Sequence, residues 1–133
     1  MKDFTELNQR LQNLTAGLDG ELWLRMMTEA DPPRSMPPEQ EILDLVFRDA
    51  KAVSGYVPDL MALMRRHVPG ELDSANRQAL AGILGLIQLM VRLLIMILLF
   101  PRYLDHEDLI STFNAYRQTL TFVEDYLARA NQR

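Results

Sequence analysis

The sequence predicts an all-α protein, a single domain over residues 1–133 built as a helical bundle of about five to six helices around one long hydrophobic helix at about 74–100. Three observations carry that expectation. Residues 79–100, ALAGILGLIQLMVRLLIMILLF, form a nearly unbroken apolar run closed by Pro101, and from Leu86 to Phe100 only Gln88 and Arg92 are polar. The flanking segments space their apolar residues three and four apart, the period of a helix face. No segment alternates apolar and polar residues for long, and no internal repeat of about 20–50 residues occurs. A helix apolar all round must be covered by neighbours or lie in lipid.

In chain order, Phe4, Leu7, Leu11, Leu14 and Leu18 step three and four apart, a seam of coiled-coil type. Gly17 and Gly20 flank Asp19, a good N-cap, so a break is expected near 17–20, before a second short helix with Leu22, Trp23, Met26 and Met27. Residues 31–38, DPPRSMPP, read as a stiff Pro-rich linker, because proline cannot continue a helix and favours extended backbone. Pro38 suits a first helical turn, and Ile42, Val46, Asp49/Ala50 and Val53 share a face until Ser54-Gly55.

Val57-Pro58-Asp59 restarts a short helix, stopped by Pro69-Gly70. Asp73 or Ser74 is expected to cap the long helix, about 40 Å of rod at 1.5 Å per residue. After Pro101, Asp105 with Asp108 resembles a capping box, and Leu109, Phe113, Tyr116, Leu120, Val123, Leu127 and Ala130 mark one face of a last helix.

Composition narrows the function classes. The net charge of −4 is spread evenly, with 11 acids against 8 bases up to residue 66 and 7 against 6 after it. There is no basic stripe to neutralise a phosphate backbone, so no nucleic-acid partner is expected. The absence of cysteine excludes disulfides and thiol catalysis. MKDFTELNQR has no basic region leading into an apolar core, which leads to the expectation of a cytoplasmic protein.

His67 and His106 lack metal-ligand spacing, and no phosphate-cradling or nucleophile motif occurs, so neither catalysis, cofactor nor metal is expected. Gly82 and Gly85, inside the apolar helix, read as close packing, and Asp105-His106-Glu107-Asp108 reads as a helix start.

For the helix at 79–100, a soluble bundle is favoured over a membrane span. Insertion gains about 0.3–0.6 kcal/mol for each Leu, Ile, Val or Phe, against a cost of about 3 kcal/mol for a central Arg. That sum favours insertion modestly, so the decision rests on the flanking helices, whose apolar faces need a partner that a buried helix supplies. Gln88 and Arg92 are expected to be buried polar residues, Arg92 meeting one of Asp44, Asp49, Glu124 or Asp125 to fix helix register.

The functional expectation is a small acidic protein-interaction module of the adaptor, secretion-chaperone, anti-activator or immunity type. It would bind a protein partner and form a homodimer through Leu7, Leu11, Leu14, Phe113, Tyr116, Leu120 and Val123. The alternative is a membrane-active bundle that shelters or inserts helix 79–100.

Overall fold

The computed structural model describes residues 3–15, 40–99 and 107–132, without the side chains of 40–45 and 96. Every regular element among them is helical. In order these are α1 (Phe4–Thr15), α2 (Gln40–Ser54), α3 (Val57–Arg66), a 3₁₀ turn (Pro69–Glu71), α4 (Ser74–Leu98) and α5 (Glu107–Ala130). The expected break at 17–20, the helix beyond it, the 31–38 linker, His106 and the Asp105 cap lie outside the described residues.

α4 packs chiefly against α5 and α1, and α2 closes on α1, α4 and α5. The core runs along α4 as Leu80, Ile83, Ile87, Met90, Leu93, Leu94 and Ile97. α2 meets it with Val46, Ala50 and Val53, and α3 adds Leu60 and Leu63 to the same core. α5 contributes Leu109, Tyr116, Val123, Tyr126, Leu127 and Ala130, nearly the face its spacing marks.

The caps are joined end to end. Asp73 begins α4, its carboxylate accepting from the Asn76 backbone N–H at 2.8 Å and from the Asn76 side-chain Nδ2 at 3.0 Å. That second bond turns the Asn76 Oδ1 outward, where it accepts the Phe4 backbone N–H at 3.1 Å. Phe4 opens α1, and its N–H is one of the donors that a helix start leaves unpaired. Asp3 satisfies another, accepting from Glu6 N–H at 2.9 Å. The Thr5 hydroxyl, followed by that Glu6 N–H, holds the Asp3 carboxyl below its usual range.

Phe4 is fully buried and its ring lies 5.8 Å from the His67 ring and 6.1 Å from Tyr126. The Tyr126 hydroxyl donates to the His67 carbonyl at 2.9 Å. Four elements, the starts of α1 and α4 and the ends of α3 and α5, thus converge on Phe4, α4 at its backbone N–H and the last two at its ring. Phe4→Ala should lower stability by about 3–5 kcal/mol through the cavity it leaves. Asn76→Ala should cost about 1–2 kcal/mol by orphaning one donor. Urea melts of the two variants check the order.

Candidate functional site

The dimer seam expected from the sequence is used inside one chain. Leu7 (0% exposed), Leu11, Tyr116 (1%) and Val123 are buried in the core, and Leu14, Phe113 and Leu120 pack half-buried against it. They are therefore not a free interface: three-four periodicity marks a face that seeks cover, and α4 covers it within the chain.

The expected burial of Gln88 and Arg92 is likewise corrected, since both are exposed. No ion pair among the described residues includes Arg92. Of its expected partners, Asp125 lies 3.4 Å from Arg129, and Asp49 has Arg48 at 3.4 Å. The Asp44 side chain lies outside the described set, and Glu124 is exposed. A guanidinium on an outer face reaches water without a carboxylate, so burial imposes no pairing.

What Gln88 and Arg92 belong to is the outer stripe of α4, continued by the C-cap residue Leu99. Ala81, Gly85, Gln88, Arg92, Ile95 and Leu99 are all exposed, Ile95 by 42% and Leu99 by 57%. They step 4-3-4-3-4, as one seam. The flanking positions, where a solvated helix would carry charge, are Leu84 and Leu89 with Val91 and Leu98, each only half-buried. Of the two glycines expected to pack closely, only Gly82 does: a Cβ there would stand 3.0 Å from Asn8 Oδ1 on α1. A Cβ at Gly85 would meet nothing within 4 Å, so that glycine leaves a hollow on the outer face.

Elsewhere the described polar groups tie helices to one another. The Tyr116 hydroxyl donates to the Ala50 carbonyl, and burial pushes its ionisation well above the ordinary phenol range. Lys51 on α2 pairs with Asp108 on α5 at the surface. The His67 backbone N–H caps α3, and its ring lies against Phe4. Among the described residues no three His, Cys, Asp or Glu side chains gather into a metal-sized group. A shallow depression lined by Glu107, Ile110, Ser111, Asn114, Ala115 and Gln118 is the open outer face of α5.

Of the two buried polar residues among those described, the sequence does not anticipate Thr119, and it sets Asp49 inward but as a partner of Arg92. Asp49, expected on the inward face of α2, is 4% exposed, and its Oδ2 has no hydrogen-bond partner among the described residues. Its spacing from Val46 and Val53 was the available signal.

No family model, curated protein or solved structure matches the chain.

Two stability measurements follow. Arg92→Ala should leave the stability of the single chain, read from melts of dilute monomer, within about 0.5 kcal/mol of the parent, as surface changes do, whereas removing one partner of a buried pair would cost about 3–5 kcal/mol. Asp49→Ala removes a desolvated acid with an unmet oxygen and should stabilise the fold by roughly 1–3 kcal/mol. A loss there would point to a partner for Asp49 in the folded chain.

Proposed function

We propose that the protein is a small acidic interaction module, a bundle of five to six helices ordered about α4, that works by docking a protein on the outer face of α4 and performs no catalysis. One observation carries the reading: a continuous stripe of α4, from Ala81 to Leu99, is left outside the core with half-buried aliphatic side chains along both sides. Scattered apolar residues such as Val68 and Phe122 are normal on a surface, but a contiguous apolar strip marks an interaction site. The strip also carries Gln88 and Arg92, polar groups that can fix the register of a partner. A cytoplasmic location and the adaptor, chaperone, anti-activator or immunity classes are consistent with this surface and with the even spread of charge along the sequence.

A second reading has its own support. By length and composition α4 is able to cross a bilayer, and only 44% of its most apolar stretch is buried. In that case the chain would shelter the helix and release it at a membrane.

One pair of experiments separates the two. A photo-crosslinker at Gln88 should give discrete protein adducts in cells, with none from the same group at Gln118 on the outer face of α5. Flotation with neutral and anionic vesicles should leave the protein at the bottom of the gradient. Stable flotation, with no adduct specific to position 88, would replace the docking reading with the membrane one.

A further inference from the structure

The outer stripe of α4 is complementary to itself when turned end for end. Its six exposed positions form three pairs centred on residue 90: Ala81 with Leu99, Gly85 with Ile95, and Gln88 with Arg92. In each of the first two pairs a small residue faces a large one, and the third joins a group with acceptor capacity to one that only donates. On the basis of the docking reading above, we infer that the occupant of this face is a second copy of the chain, bound antiparallel through α4 about a twofold axis that crosses the outer face between Gln88 and Arg92.

The geometry satisfies the requirements of such a seam. The 4-3-4-3-4 spacing gives alternating heptad positions, and in an antiparallel pair each position meets its complement on the other helix. The twofold axis repeats every pair, so three pairs become six layers. Ile95 of one copy enters the hollow above Gly85 of the other, where a Cβ would meet nothing within 4 Å of its own chain. Leu99 lies over Ala81, again large over small.

At the middle, the Arg92 guanidinium donates to the Gln88 side-chain carbonyl of the other copy, twice by symmetry. The flanking positions agree. Val91 meets its own symmetry mate on one side, Leu89 meets its mate on the other, and Leu84 lies level with Leu98. These are aliphatic side chains where a helix facing only water would carry charge. A parallel pairing would instead set Arg92 against Arg92 and Gly85 against Gly85, a like-charge contact beside an empty layer.

Because the chain has no cysteine, engineered thiols report directly on this arrangement. Gly85→Cys and Ile95→Cys alter positions outside the core of the single chain, so both variants should still fold and melt cooperatively. Co-expressed and mildly oxidised, the two should give a disulfide-linked dimer of one chain of each kind. Neither alone should link, because in the antiparallel seam two residues at position 85 stand about 15 Å apart along the axis. Self-linking by either variant alone would show another register and overturn the inference.

Light scattering of the parent at micromolar concentration should give twice the 15.3 kDa of one chain. Gln88→Arg, which faces two guanidiniums with two more, should weaken the dimer by at least about tenfold. An unchanged dimer in Gln88→Arg would overturn the proposal. A monomer that forms no mixed disulfide, yet gives adducts to a different protein from position 88, overturns self-association and leaves the docking reading standing. A monomer with no adduct at position 88 removes both.

Discussion

α4 has more apolar circumference than the described helices cover, and the rest of the structure answers to that constraint. Its inner arc, from Leu80 through Met90 to Ile97, is packed by α1, α2 and α5. Each of those helices has one apolar face and spends it on α4, on the pattern expected of layered helices. The face of α5 that carries Tyr116 and Val123 is consumed in this way, as is the Leu7 and Leu11 face of α1. With the neighbours' apolar surface used on one side, Ile95 and Leu99 are left on the other.

The two ends of α4 are held by different forces. At its start the polar chain Asp73–Asn76–Phe4 joins two helix caps by directional bonds, and the Phe4 ring gathers His67 and Tyr126. Hydrogen bonds of this kind fix angles and distances, so the approach of α1 to α4 is set there, close enough that Gly82 faces Asn8 without a Cβ. Toward its far end the described residues of α4 enter the core through apolar side chains, Leu93, Leu94 and Ile97. The outer stripe follows the same gradient, with Ala81 and Gly85 near the bonded end and Ile95 and Leu99 near the packed end. A helix tapered in this way fits best against a partner tapered in the opposite sense.

Much of the helical order was legible because it is local. Asp73, Pro58 and Ser54-Gly55 mark ends through backbone chemistry that needs no tertiary partner. The α5 face was legible too, except for Thr119 and Tyr126, which lie beside the heptad positions and not on them. Tyr126 is held by a bond to a carbonyl 59 residues away, which no local pattern encodes. Periodicity also states which residues share a face without stating which way that face points. Spacing puts Gly85, Gln88 and Arg92 on one stripe of α4 without saying that this stripe faces outward. The α1 and α5 seam suffered the same ambiguity, since spacing cannot tell a partner within the chain from one outside it.

The placement of Arg92 bears on what the exposed stripe is for. In a bilayer a central arginine opposes insertion by about 2.5–3.5 kcal/mol, and the neighbouring Gln88 adds a second unmet polar group. In an antiparallel protein seam the same two residues meet each other, and only in one register. Sliding one helix by a heptad would set Arg92 against Ile95 and Gln88 against Leu99, leaving both polar groups without partners in an apolar layer. Polar residues in a helical seam cost stability and return specificity of register and orientation. Apolar flanks supply adhesion without choosing an alignment, since Leu84, Leu89, Val91 and Leu98 would pack in several. The Gln88–Arg92 pair supplies the choice, and its position at the centre of the stripe makes the antiparallel alignment the one in which every layer is filled.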